Sequence, residues 1–236
     1  MKKNLLSISS VLIIAGIAIF AGCKKEDTTA PVVTLKGNAS ATSVLNAAYS
    51  DPGATASDDE DGDITTSIVV TGTVNKDLKG SYTLTYTATD AAGNVGTATR
   101  TVKVENSAEN LAGNYSTTDT NPAISGTYTI TVSTSSTTNN KIILNNLGKY
   151  GTDVNATVSG TSISIASQSM TTSNICTGTP IAGTILSAGS TGTASNGTVN
   201  TGTTITMSIP YYFSWTQATC VDPAKVDYGT ASLTKQ

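Results

Sequence analysis

The stretch "SYTLTYTATD" at 81–90 sets Tyr82, Leu84, Tyr86 and Ala88 against Thr83, Thr85, Thr87 and Thr89. Strict period-two alternation predicts a strand with one buried and one wet face. A slip of one residue would expose the whole apolar set, so the register is firm. "AAGNVG" (91–96) follows with turn chemistry, and 95–104 reads as the returning strand. Asp90 stands where its side chain can accept from the amides of that turn. Further strands are predicted at 31–35, 44–49 and 64–71.

Beyond residue 110 the pattern stays β. Tyr128, Ile130 and Val132 alternate with Thr, and Ile163 and Ile165 alternate with Ser. In "TITMSIPYYFSWT" (204–216), Ile205, Met207, Ile209, Tyr211, Phe213 and Trp215 are all odd-numbered, which predicts one core-facing stripe if the strand runs through Pro210. Tyr212 then stands on the other face, as the exposed ring and the candidate ligand contact. The predicted fold class is all-β: an antiparallel sandwich over 30–105, a polar linker at 106–110 able to act as a hinge, and a second antiparallel domain over 111–236. About eight short strands in that second domain suit either a barrel or a sandwich.

Composition supports this reading. Of 236 residues only 12% are charged, and Thr, Ser, Gly and Asn abound, a mixture that favours strands over helices. His is absent. That excludes Ser-His-Asp triads and His-ligated zinc, and removes the side chain best suited to proton transfer near neutrality. The sequence therefore reads as non-enzymatic.

The first 22 residues resemble a bacterial lipoprotein signal: Lys2 and Lys3, an apolar core, then Ala21-Gly22 before Cys23. The apolar run is too short for a permanent membrane span. The resemblance implies that the Cys23 sulfur carries a diacylglyceryl group and that the new amino terminus is acylated, giving anchorage by several acyl chains. Lys24-Lys25-Glu26-Asp27 resembles the charged signal that sends lipoproteins of Bacteroidota to the outer face of the outer membrane, with a periplasm-facing position as the alternative. Without Lys2 and Lys3 the chain has eleven basic and sixteen acidic groups, net −5. No basic stripe exists for nucleic acid.

"YSDPGATASDDEDGDITTSIVVTGTVN" followed by "GSYTLTYTATDAAGNVGTATRTVKV" resembles the bacterial Ig-like domain that also occurs in a pesticidal crystal protein. The resemblance covers about residues 30–105 and implies an Ig-like sandwich used as spacer or binding module, without catalysis. Its loop "SDDEDGDIT" (57–65) packs five carboxylates into nine positions. An EF-hand reading fails, because with Gly62 at position six the bidentate Glu of position twelve is Ile68. Two readings stay open. One is a looser structural calcium site formed by Asp58, Asp59, Asp61, Asp63 and Asp90; the other is a solvated loop whose Asp side chains cap turns. No other cofactor is expected.

Leu111-Ala112-Gly113-Asn114-Tyr115, opening a Thr-rich meander, resembles the C-terminal β domains of Bacteroidota surface lipoproteins, some of them lipocalin-like. An exported chain meets an oxidising environment, so Cys176 and Cys220 are expected to pair. The expected function is a surface lipoprotein whose Ig-like module presents a β domain to a glycan, peptide or protein. The alternatives are a structural subunit of an outer-membrane complex, or a glycan-active enzyme using two of Asp119, Asp153, Asp222 and Asp227.

Overall fold

The computed structural model describes residues 26–121, 124, 126–172, 181–186, 196–215 and 226–236. The protein is all-β, with 3-10 turns at Thr65–Ser67, Glu109–Leu111 and Leu147–Lys149. Among the described residues no helix is long and apolar enough to cross a membrane.

The first domain is a sandwich of two sheets. One contains β1 (Val32–Leu35), β3 (Ala54–Asp58) and β4 (Gly62–Asp63); the other runs β2 (Ser40–Val44), β7 (Val95–Glu105), β6 (Gly80–Thr89), β5 (Val69–Thr71). The β6–β7 hairpin is its backbone, paired without a break from Gly80 opposite Val104 to Thr89 opposite Val95. Leu84, Tyr86 and Ala88 are buried as their alternation predicts. Leu84 and Tyr86 meet Ala54, Val102, Val33, Leu35 and Ile68 from the rest of the sandwich.

Two of the expected strands fall elsewhere. The strand expected at 44–49 is instead β2, ending at Val44, and it pairs in parallel with β7. Asn46 adopts the left-handed conformation, φ 66°, which ends extended structure there. The strand expected over 64–71 begins only at Val69, because Thr65–Ser67 form a 3-10 turn. Asp63 starts that turn by accepting from the Thr65 amide at 2.9 Å.

The second domain closes into a barrel. β8 (Gly113–Asp119), β9 (Tyr128–Thr134), β10 (Lys141–Asn145), β11 (Asp153–Ser159) and β12 (Ser162–Ser164) form a meander. A hairpin, β13 (Gln168–Thr172) and β14 (Ile181–Leu186), interrupts it before β15 (Gly197–Thr201), β16 (Ile205–Trp215) and β17 (Val226–Lys235). β17 pairs with both β16 and β8, so eight antiparallel strands close the ring without an edge. The barrel reading, left open against a sandwich in the sequence, is the correct one.

β16 shows how one strand serves two neighbours. Thr206, Ser208, Pro210, Tyr212 and Ser214 alternate outward while Met207, Ile209, Tyr211 and Phe213 are buried. On one edge its residues 205–208 pair with β15 and residues 212–215 with β14. Pro210 sits in the unpaired gap between them, the place where a missing N–H does least harm. Inside, Tyr115, Ile130, Ile142, Leu144, Val154, Ile163 and Leu233 are essentially fully buried, each contributing about 1.5–3 kcal/mol. These side chains belong to the core of the described barrel.

The polar segment expected to hinge the domains is instead locked. Asn106 is 2% exposed. Its Nδ2 donates to the carbonyls of Ser135, Thr138 and Lys141 at 3.0–3.2 Å, and its Oδ1 accepts from the Ala108 and Asn140 amides at 3.0 Å. Ala108 and Leu111 are already part of the barrel core. The sandwich braces the same β9–β10 hairpin from its own side. Lys79 N donates to Ser136 O at 2.8 Å, Asn46 Nδ2 to Thr137 O at 3.1 Å, and Asn139 N to Asn46 Oδ1 at 2.8 Å. Lys79 Nζ also bridges the Glu109 carboxylate at 3.1 Å and Thr134 Oγ1 at 2.9 Å. The junction is a hydrogen-bonded weld.

Candidate functional site

The chain runs end to end. Tether residue Asp27 lies at the 90–94 turn, where its carbonyl accepts from Asn94 Nδ2 at 3.1 Å. Gly96 packs beneath the Pro31 carbonyl so closely that any Cβ there would collide with it. The ten residues of β6 then carry the fold about 30 Å to the junction. β8 leaves the junction at Gly113 and ends at Asp119, so Asp119 marks the barrel's outer end.

A polar and aromatic cluster occupies that end. Asp119 Oδ2 accepts from the hydroxyls of Tyr211 at 3.0 Å and Tyr128 at 3.1 Å, and its Oδ1 accepts from Asn121 N at 2.9 Å. The Tyr128 hydroxyl in turn accepts from Gly148 N at 3.2 Å. Tyr150 stands edge-on to Tyr211, ring centroids 5.9 Å apart, and 4.9 Å from Phe213. Burial, and next the charge of Asp119, push the Tyr211 and Tyr128 phenols well above their ordinary range, so both stay protonated donors. The cluster fastens β8, β9 and β16 together at this end. Its sequence signal was parity: Asp119 shares the inward face of β8 with Tyr115 and Thr117.

On the outer wall, Tyr212 pairs across strands with Tyr228, which is 44% exposed. Around them the wall offers Ser214, Thr230 and Ser232. Tyr228 carries no pattern that would single it out in the sequence. Cys23, Cys176, Cys220 and Asp222 lie outside the described residues. Asp153 faces outward and accepts from Asn145 Nδ2 at 2.8 Å.

The five carboxylates grouped from the sequence do not converge as one set. Asp90 takes the Asn94 amide at 2.8 Å and Asn94 Nδ2 at 2.9 Å. Asp63 caps Thr65, and Asp61 Oδ2 accepts from Ala91 N at 2.7 Å, tying the loop to the β6–β7 turn. Asp58 Oδ2 accepts from the Glu60 and Asp61 amides at 2.9 and 3.2 Å. Among the described residues, the set whose oxygens do approach, within 4.8 Å of one another, is Asp58, Asp59 and the tether residue Asp27. Those three are the residues that could hold a cation, and Asp58 Oδ1 is buried without a hydrogen-bond partner. Asp27 was missed because its charge was read as part of the localisation signal at 24–27.

The sandwich is held by a charge in its interior. Arg100 is 0% exposed. It pairs with Asp51, donates to the Tyr86 hydroxyl at 2.9 Å, and reaches the carbonyls of Asn38, Lys36 and Gly53. Tyr86 donates to Asp51 Oδ1 at 2.7 Å. Burial acts to raise the Asp51 carboxyl, but the hydrogen bonds from Tyr86 and Gly53 and the Arg100 charge outweigh it and hold it low. At Glu109 burial is likewise outweighed, by Thr134 and Lys79. Burial and Asp51 push Tyr86 up to about 12, and burial alone takes Tyr115 to about 12.

The signs of these shifts define a window. The depressed Asp51 and Glu109 contribute stability above the unfolded carboxylate range of about 4, lost as pH falls through their folded values. The raised tyrosines contribute stability below about 10, lost as pH climbs towards their folded values. Denaturation midpoints measured from pH 2 to 12 should show a plateau falling at both ends.

Residues 33–104 match the family described as bacterial surface protein, Ig-like domain. The sandwich is thus an Ig-like domain, followed by an eight-stranded antiparallel barrel. No curated protein sequence matches the chain. Among solved structures, the lipoprotein BT2262 from Bacteroides thetaiotaomicron aligns at 17% identity and TM-score 0.32, covering 87% of this chain and 100% of that one. A structure of Clostridium perfringens ZmpB, CBM51-2 in complex with GlcNAc and INT domains, aligns at 13% identity and TM-score 0.28, covering 86% and 43%. A second ZmpB structure, the M60 catalytic domain with CBM51-1 and CBM51-2, aligns at 14% and 0.28, covering 87% and 21%.

Proposed function

We propose that this is a non-enzymatic surface lipoprotein, held on the outer membrane by acyl chains at Cys23. Its Ig-like domain acts as a stiff stalk presenting the barrel to a glycan, peptide or protein. The observation that carries the reading is the locked junction, with the tether at the far end of the sandwich from it and Asp119 at the far end of the barrel. A flexible hinge would let the barrel fold back to the membrane; a weld keeps it out. The meander topology of the barrel is compatible with the lipocalin-like relatives expected from the sequence.

Contact rather than chemistry is supported by the acids. Asp119 is held by two phenols on the inner face of the barrel, and Asp153 by Asn145 on the outer face. Among the described side chains, both carboxylates are engaged in hydrogen bonds that hold the fold. The function needs no cofactor.

The expected result in the native host is that Cys23→Ser moves the protein from the membrane to the soluble fraction. On intact cells, an antibody against the barrel's outer end should label the wild type. Membrane retention of the Cys23→Ser protein contradicts the anchor, and labelling only after cell disruption contradicts surface display.

A further inference from the structure

A groove of about 520 Å³ lies on the flank of the Ig-like domain, lined by Ala48, Tyr49, Asp51, Val70, Val74 and Leu84, with Thr73, Asn75 and Lys76 on its rim. Its volume is in the range of about 300–1,000 Å³ typical of small-molecule sites. The fold builds it. Gly72, at φ 91°, brings the chain leaving β5 against the Thr83 carbonyl so closely that no side chain fits there, and the turned chain becomes one wall. Asn46 N fixes the rim by donating to Lys76 O at 2.7 Å, and the same Asn46 braces the barrel. The groove is therefore preformed.

Its chemistry narrows the ligand. Asp51 is neutralised by Arg100, and Lys76 by Asp77 at 2.8 Å, so each charged lining residue already has a counterion. An ionic ligand gains no net Coulomb attraction there. The walls are apolar, with one aromatic ring, Tyr49, and with Val70 48% exposed. Between them stand polar groups with spare capacity. Asp51 receives its bonds from Tyr86, Gly53 and Arg100 on Oδ1, leaving Oδ2 as an acceptor at the groove. Asn75 uses Oδ1 for the Asp77 amide, leaving Nδ2 as a donor. An extended peptide fits less well, since the neighbouring edge strand β5 offers only three residues for pairing.

We propose that this groove binds a neutral sugar unit. The C–H face of a pyranose lies on Tyr49, Val70 and Val74, one hydroxyl donates to Asp51 Oδ2, and another accepts from Asn75 Nδ2. Tyrosine rings suit one side of such a ligand and convergent hydroxyl partners the other. The stalk would then also be a receptor, whatever the barrel binds.

The test is saturation-transfer NMR on the full chain in detergent, with glucose, galactose, mannose and N-acetylglucosamine at millimolar concentration, and glucuronate and glucosamine as charged comparisons. At least one neutral sugar should give transfer, and the charged sugars should give less. Val70→Arg, at an exposed position, should abolish it by filling the groove. Asn75→Ala should weaken it by up to about tenfold, the net worth of one hydrogen bond. Thr129→Ala and Ser159→Ala, at exposed positions on the barrel wall, should leave it unchanged. Thermal midpoints check that each variant is folded. No transfer from any neutral sugar, equal transfer from the charged ones, transfer that survives in Val70→Arg, or loss in the barrel-wall variants instead, each overturns the proposal.

Discussion

Asp51→Ala should destabilise the Ig-like domain by about 3–5 kcal/mol, the usual result of stripping the partner from a buried ion. Arg100 is wholly enclosed, and its carbonyl partners at Lys36, Asn38 and Gly53 solvate the guanidinium without neutralising it. The Tyr86 hydroxyl loses its acceptor in the same stroke. Differential scanning calorimetry or urea denaturation reads the effect. The double variant Asp51→Leu/Arg100→Leu separates the cause: with both charges gone, stability should recover most of the loss, since no enclosed ion is then left without a partner. Equal damage in the single and double variants would mean that packing, not the orphaned charge, dominates.

Asn106→Ala should produce the second large effect, at the junction. It removes five hydrogen bonds, to Ser135, Thr138, Lys141, Ala108 and Asn140. Each buried group left unpaired costs about 1–3 kcal/mol, less where water enters, so a total of about 3 kcal/mol or more is expected. The loss should also uncouple the domains. Wild-type calorimetry should show one cooperative transition, and the variant two. A single transition shifted downward, with no split, would mean that Asn106 stabilises one domain without coupling them.

Both residues mark the difference between what a local pattern encodes and what tertiary contact decides. The hairpin at 80–105 was legible because period-two alternation and the Gly93-Asn94 turn point the same way. The odd-numbered stripe of β16 survived Pro210 because the proline falls where β16 changes partners. Arg100 left a readable mark: it shares its parity on β7 with Val102 and Val104, and a charge on an inward face needs a counterion. That the counterion is Asp51, 49 residues away, depends on how the sandwich closes, which no local pattern records. Asn106 is the opposite case. Polarity in "ENSAEN" reads as solvent exposure, yet the amide's donors and acceptor match the carbonyls and amides at the neck of the β9–β10 hairpin. The acidic loop misled in the same way, because carboxylates close in sequence are separated by the turns they cap, while Asp27 arrives from the tether.

The two domains should behave as one stiff body, with the anchor and the outer end of the barrel both far from the junction. Backbone residual dipolar couplings of the full chain in a weakly aligned medium test it most directly. A rigid junction predicts one alignment tensor fitting the Ig-like domain and the barrel together. Two tensors of different magnitude or direction would contradict it, because the stalk would then bend at 105–110.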